Sequence, residues 1–373
     1  LVRVGAAVTP FQLNEILAQK GMVVKGCDTG AKENSQFGAM FTTNTGGSTA
    51  EVEGSLLNNV VGMRAVMADG QVLDDLRLTP KDNASANLTK MIGYLHFPVV
   101  LVTDLMLKLS PITKQREAIW IGIDSVEVAH HVRRFLVDAL ADMVISIEMI
   151  EAGALHTVFE HTQNVRNPLS GVDPITLYVQ VVSPMEREQF DLTSILQEIL
   201  VAMIDQLGDK IDASKVVMAQ DQTQADNFHH IRHHITISAS MEAKSKGATI
   251  KGYDISVPLS AICRVMQQLD ELMQIHLPGA QVRRFGHFLG GRFHNNVQIP
   301  DDTDVSQIEA FSHGLDDIIA SVNGSIASEH APGRDLVSRL PRIRPHVYRH
   351  MQAFKKHFDP KCLIAPGVGV AKQ

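Results

Sequence analysis

Ile119-Trp120-Ile121-Gly122-Ile123, followed after Asp124-Ser125 by Val126-Glu127-Val128-Ala129-His130-His131-Val132-Arg133-Arg134-Phe135-Leu136-Val137-Asp138-Ala139-Leu140, is the stretch on which the fold turns. The first run is short, apolar and rich in β-branched and aromatic residues, so it reads as a strand. The second spaces its apolar residues at helical intervals, so it reads as an amphipathic helix. The same alternation continues outward. Residues 147–161 read as strand then helix, 176–182 as a strand, and 190–207 and 228–243 as helices. Tyr253-Asp254-Ile255-Ser256-Val257-Pro258 reads as a strand running into a helix over 260–276. Strands and helices mixed in this way predict an α+β domain built on a mainly antiparallel sheet.

Upstream of about residue 113 the texture differs, with short apolar runs between Gly-rich turns. Thr9 or Pro10 opens a helix through Phe11, Leu13, Ile16 and Leu17 that ends near Gly21. From Val60 to Leu73, two strands flank an Asp69-Gly70 turn, a hairpin signal. The run Phe97-Pro98-Val99-Val100-Leu101-Val102 reads as a buried strand, and residues 99–109 as a strand that Ser110-Pro111 closes. Leu1-Val2-Arg3-Val4-Gly5 reads as a strand already under way, with no basic leader or apolar signal core. The expectation is a chain that starts inside a larger domain. Residues 343–358 predict a last helix, before a Pro- and Gly-containing tail.

Composition narrows the function classes. The 373 residues are 45% hydrophobic and 20% charged, with 34 Lys and Arg against 41 Asp and Glu, a net charge of −7. Without a basic surplus or a basic run, neither nucleic acid nor an anionic membrane is an expected partner. Cys27, Cys263 and Cys362 lie too far apart to suggest a disulfide framework or a Cys-type zinc site. No apolar run approaches the roughly 18 residues of a membrane span. The expected compartment is cytoplasmic, or mitochondrial if the source is eukaryotic.

The sharpest chemical signal is Phe285-Gly286-His287-Phe288-Leu289-Gly290-Gly291-Arg292-Phe293-His294. The Gly-Gly pair permits a tight turn that could carry two imidazoles to one ion, and neutral imidazole is the commonest metal ligand. A second cluster, Gly324-Ser325-Ile326-Ala327-Ser328-Glu329-His330, offers a carboxylate and an imidazole that could complete a His-His-Glu set. On residue chemistry alone, a solvated polar loop is the simpler reading of it. Arg232 and Thr236 stand four positions apart on one helix face, a guanidinium and a hydroxyl suited to a carboxylate ligand. A surface Arg on a His-rich helix (His229, His230, His233, His234) is the plain alternative.

Taken in order, these pieces resemble the FAD-linked oxidase family that includes D-2-hydroxyglutarate dehydrogenase, D-lactate dehydrogenase and the flavin-binding component of glycolate oxidase. Asp28 to Gly47, ending Thr43-Asn44-Thr45-Gly46-Gly47, is similar to the family's flavin-proximal segment. Gly54-Ser55-Leu56 through Gly62 to Ala68-Asp69-Gly70-Gln71-Val72-Leu73 is similar to its hairpin segment. Residues 285–294 resemble F-G-H-x-G-D-G-N-x-H, and 324–333 resemble G-S-I-S-x-E-H-G-I-G. Phe358-Asp359-Pro360-Lys361-Cys362-Leu363-Ile364-Ala365-Pro366-Gly367 resembles the tail L-D-P-K-G-I-L-N-P-G-K.

The resemblance implies the C-terminal half of a PCMH-type FAD-binding domain over 1–113. A ferredoxin-like antiparallel-sheet substrate domain would follow over 114–340, and a helix and tail over 341–373 would return to the flavin domain. It implies oxidation of a D-2-hydroxy acid, with the C2 hydrogen leaving as hydride to flavin and a base taking the hydroxyl proton. A divalent metal, zinc or manganese, would hold the substrate's oxygens. By position, His287, His294 and Glu329 would be metal ligands and His330 the base. Arg232 and Thr236 would grip the substrate carboxylate, with Lys251 beside the position of a further substrate lysine. Asn44, Gly46, Gly47 and Gly62 would lie along the flavin. The partners implied are a small 2-hydroxy acid, an unidentified electron acceptor, and a second copy of the chain or a complementing subunit.

Departures cluster on the flavin side. The expected chain lacks the family's first flavin subdomain. The segment G-S-E-G-T-L-G-I is replaced by Gly93-Tyr94-Leu95-His96-Phe97-Pro98-Val99-Val100-Leu101, whose Phe97, Pro98 and Val99 would crowd the cofactor. Gly290 and Arg292 replace an Asp and an Asn in the metal loop, and Gly252 stands where the substrate lysine is expected. Two readings therefore stay open: a dehydrogenase, or a non-catalytic fragment or subunit that keeps a metal and carboxylate pocket. The Tyr-Arg proton-relay pattern of the related aromatic-alcohol oxidases is not seen.

Overall fold

The structure, a computed structural model, describes residues 1–28 and 33–372. Residues 29–32, inside the segment that resembles the flavin-proximal one, lie outside the described residues. The chain forms two compact units, Leu1–Ile112 together with Glu329–Gln373, and Thr113–Ser328. The return to the first unit thus begins at Glu329. Residues 329–340 belong with that unit and not with the substrate domain to which the sequence assigns them. The Gly369 amide donates to the Gly333 carbonyl at 2.7 Å, which ties that early stretch to the tail.

In the first unit, β1 (Val2–Gly5), β3 (Val60–Val66), β4 (Val72–Asp75) and β5 (Leu101–Leu107) form an antiparallel sheet in the order β1-β5-β3-β4. The short strands β2 (Met22–Val23) and β6 (Ser110–Pro111) pair beside it. The helix Pro10–Ala18 starts where the sequence predicts, with Thr9 and Gln12 closing a capping box. Gly70 turns the β3–β4 hairpin with φ +86. The strand expected over 99–109 is shorter, because 97–100 makes no ladder although it is buried. Pro98 has no N–H to give, and its carbonyl is taken by the Lys355 ammonium at 2.9 Å. Phe97 and Val99 instead join Phe37, Phe41, Leu57 and Leu105 in the core of this unit.

The second unit is a seven-stranded antiparallel sheet. Its strands are β7 (Gln115–Ile123), β8 (Val144–Glu151), β9 (Ile175–Ser183), β10 (Val216–Met218), β11 (Ala248–Ser256), β12 (Gln281–His287) and β13 (Arg292–Pro300). The order is β10-β7-β9-β8-β12-β13-β11, so the unit is α+β with the antiparallel sheet that the sequence predicts. Residues directly paired across strands share a face, and each strand alternates faces. Trp120 pairs with Tyr178, Tyr178 with Glu148, and Glu148 with His287, a row across four strands on one face. The helices Ala152–His161 and Gln222–Ser245 cover that face. Leu155, Val158, Phe228, Ile231 and Ile235 pack there on Trp120, Tyr178 and Phe285. Each such apolar side chain stabilises the fold by about 1.5–3 kcal/mol on full burial. The helix Val305–Ser321 packs on the opposite face, where Ser312 and Phe311 meet Tyr253.

Candidate metal and substrate site

The His-bearing stretch is the β12–β13 hairpin. Gly291 turns it with φ +73, and a Cβ there would stand 2.3 Å from the Val257 carbonyl oxygen. Any other residue would be both strained and obstructed. Phe285 pairs with His294, so the two share a face, and His287, two residues beyond Phe285, lies on it too. The His287 and His294 rings stand 5.4 Å apart, nearly perpendicular.

Glu148, opposite His287 on β8, joins both halves of the site. It is wholly buried. One carboxylate oxygen accepts from His287 Nδ1 at 2.5 Å and from the Ser146 hydroxyl at 3.3 Å. The other accepts from Arg232 Nε at 2.7 Å. Burial pushes this carboxyl up, but the Arg232 charge and the hydrogen bonds from His287 and Arg232 outweigh it and hold the group well below its ordinary value. The Arg232 guanidinium also lies 4.6 Å above the Phe285 ring, a cation–π contact that fixes its plane. One turn along the helix, Thr236 Oγ1 accepts from Asn296 Nδ2 at 3.4 Å. His294 Nδ1 lies 3.5 Å from Asp254 Oδ1, which accepts from the Ser328 hydroxyl at 2.8 Å.

The second unit therefore gathers His287, His294, Arg232 and Thr236 on one face. Lys251 is not among them. It pairs with Val297 and sits over the Tyr253 ring, on the opposite face from His294 and Asn296. The residue on the site side is Gly252, opposite Asn296. A shift of one residue along a strand reverses the face, so proximity in sequence to the expected position is not enough. Glu329 and His330 follow Ser328 directly and open the return segment of the first unit, Glu329 half-buried and His330 exposed. Glu148, Asp254 and Asn296 belong to the geometry but not to the sequence-derived set. For Glu148 a signal existed, an acidic residue inside the apolar run Val144–Glu151.

The donor set fits a zinc- or manganese-type cation. Two imidazoles share a face, and the Nδ1 of one is backed by a carboxylate, the arrangement that orients metal-ligating histidines. The flavin-side residues divide. Asn44 closes a helix in the left-handed region, φ 51, its side chain held by the Ser55 hydroxyl and 3.4 Å from His96 Nε2. Gly46 beside it is buried. With Phe97 and Val99 turned into the core, their bulk does not weigh against a flavin as the sequence suggests. Gly47 and Gly62 have packing reasons instead. A Cβ on Gly47 would strike the Asp28 carbonyl, and one on Gly62 the Asp75 carbonyl at 2.4 Å and the Arg77 amide at 2.5 Å. At Gly62 it is neighbouring backbone that leaves no room for a side chain.

Residues 112–368 match the C-terminal domain of the FAD linked oxidases, and residues 1–75 match an FAD binding domain. The chain belongs to the FAD linked oxidase family. Among its relatives, the mitochondrial D-2-hydroxyglutarate dehydrogenase of Arabidopsis thaliana is 27% identical over 361 residues, covering 95% of this chain and 60% of the relative. The D-lactate dehydrogenase of Archaeoglobus fulgidus is 25% identical, covering 99% of this chain and 76% of the relative. The chain spans 60–61% of the length of the plant D-2-hydroxyglutarate dehydrogenases it matches. Of solved structures, 4-ethylphenol oxidase from Gulosibacter chungangensis, in complex with isoeugenol, superposes with a TM-score of 0.68 at 16% identity. It covers 99% of this chain and 76% of that one, a likeness of fold alone. No helix among the described residues is long and apolar enough to cross a membrane.

Proposed function

We propose that this FAD linked oxidase dehydrogenates a D-2-hydroxy acid, of the D-2-hydroxyglutarate or D-lactate class, to the 2-oxo acid, with a divalent zinc or manganese ion orienting the substrate. The observation that carries the reading is the shared face of β12, β13 and the helix Gln222–Ser245. There two imidazoles and a guanidinium, two of them joined through Glu148, offer a cation site beside a carboxylate grip.

In this reading Arg232, oriented by Glu148 and Phe285, binds the substrate carboxylate, and Thr236 adds a hydroxyl. His287 and His294 hold the cation, with Glu329 as the third ligand. His330 takes the proton from the substrate hydroxyl as C2 is oxidised. FAD, held along Asn44 and Gly46, supplies the two-electron sink that accepts the C2 hydrogen as hydride. The protein's share of the work is to bind, to orient and to move one proton.

A second reading is a chain that keeps the metal and carboxylate site without redox chemistry; at Gly62 the Asp75 and Arg77 backbone, rather than a cofactor, excludes a side chain. One experiment separates the two. The purified protein, given FAD and Zn²⁺ or Mn²⁺, is assayed with D-2-hydroxyglutarate and D-lactate against an artificial dye acceptor. Dye reduction that is abolished in a His287→Ala, His294→Ala variant supports the dehydrogenase. Metal uptake without flavin uptake or turnover overturns it in favour of the second reading.

A further inference from the structure

Glu148 carries a charge-balance problem whose solution reaches the metal. A wholly buried carboxylate needs a cationic partner, and the Arg232 guanidinium supplies one at 2.7 Å. The pair is then neutral. A metal ion takes only a neutral ring, because the ligating nitrogen must offer its lone pair. A carboxylate only accepts hydrogen bonds, so the hydrogen on that ring must sit on Nδ1, 2.5 Å from Glu148. The lone pair then belongs to Nε2. This is the tautomer that a metal-ligating histidine needs.

We infer that Glu148 is a positioning residue that sets the His287 tautomer for metal binding, and that it can do so only because Arg232 takes its other oxygen. The inference rests on the cation site proposed above, and its main readout does not need the cation. It also makes a specific claim about glutamine at this position. An amide has one acceptor oxygen and one donor nitrogen, so it can serve only one of the two donors. A hydrogen bond from a charged donor is roughly twice as strong as a neutral one. The amide oxygen therefore goes to Arg232, and its NH₂ faces His287 Nδ1. That nitrogen must then accept, the hydrogen moves to Nε2, and the ring loses its ligand atom. With Arg232 also replaced by an apolar residue, the amide oxygen turns back to His287 and the Nδ1–H form returns.

The test reads the His287 ring by long-range proton–nitrogen NMR in the metal-free protein, the signal assigned with His287→Gln. Titration calorimetry with Zn²⁺ and Mn²⁺ runs in parallel. The wild type and Glu148→Asp should show Nδ1–H, and Glu148→Gln should show Nε2–H. Metal affinity should fall about 10- to 100-fold in Glu148→Gln and recover in Glu148→Gln, Arg232→Met. The recovery guards against misfolding, because a merely structural role for Glu148 would make the double variant no better than the single one. Nδ1–H retained in Glu148→Gln, or no recovery in the double variant, overturns the inference. If the wild type takes up neither cation while the ring forms change as described, the inference about Glu148 stands and the metal reading falls.

Discussion

Arg232→Met should be the most costly single change on the site face, and its cost can be worked from the pair it breaks. Glu148 would remain wholly buried with His287 and Ser146 as donors but without a counter-ion. Removing one partner of a buried ion pair costs about 3–5 kcal/mol. The two remaining hydrogen bonds place this case near the lower end, about 3 kcal/mol. In a unit of this size each kcal/mol lowers the melting temperature by about 2–4 °C, so the expected drop is about 6–12 °C. Without Arg232, burial dominates and raises the Glu148 carboxyl above its unfolded value. The deficit should therefore shrink as pH falls and the carboxyl takes up a proton. Calorimetric melting of metal-free protein across pH 5 to 8 measures both effects. A drop under about 2 °C, or one that grows toward low pH, would refute the charge-balance argument. The double variant Glu148→Gln, Arg232→Met should regain most of the loss.

Three other outcomes follow from separate parts of the structure. Asp359 is buried and accepts from the Lys355 ammonium and the Leu363 and Ile364 amides. Burial raises this carboxyl, but those partners outweigh it and hold it below its ordinary value. Its contribution is complete above the unfolded value, about 3.9, and is lost as pH falls through the lower folded one. The protection of the tail amides, measured against their intrinsic exchange rate at each pH, should thus fall in acid in the wild type and be already low at neutral pH in Asp359→Asn. Gly291→Ala should cost at least about 1–2 kcal/mol from φ alone, more from the Val257 carbonyl, and weaken metal binding measured by calorimetry. Equal metal affinity would show that the hairpin turn does not set the ligand rings. Lys251→Met should leave Zn²⁺ and D-lactate affinities within about twofold, since its side chain is on the other face. A larger loss would return Lys251 to the site.

Much of this architecture is legible in the sequence, for identifiable reasons. The strand at Ile119 and the helix from Val126 announce themselves because period two and period 3.6 are local properties. His287 and His294 stand out because a Gly-Gly turn is local too. Glu148 does not, because its partners lie 84 and 139 residues away and meet it only through the β8–β12 register and the helix packed above. Lys251 misleads for a related reason. A resemblance can locate a residue to within one position, and a strand gives opposite answers at neighbouring positions. Phe97 to Val100 shows the remaining weakness of the apolar-run signal, which reports burial without saying whether a ladder accompanies it. The same signal misjudges the flavin side, since bulk at Phe97 and Val99 counts against a cofactor only if it points outward.

The strand order leaves β11 on an outer edge of the larger sheet, while the other edge, β10, is only Val216–Met218. A three-residue edge is too short to template a neighbour, but the nine residues of β11 are not. Ser325 bridges to Ser256 and closes one end of that margin. Along the rest, an ammonium at Lys251 is a deterrent against strand-to-strand stacking of whole molecules. Its worth would then be felt in concentrated solution and during folding, as resistance to aggregation rather than in any ligand's affinity. Light scattering of Lys251→Met at high protein concentration would register it.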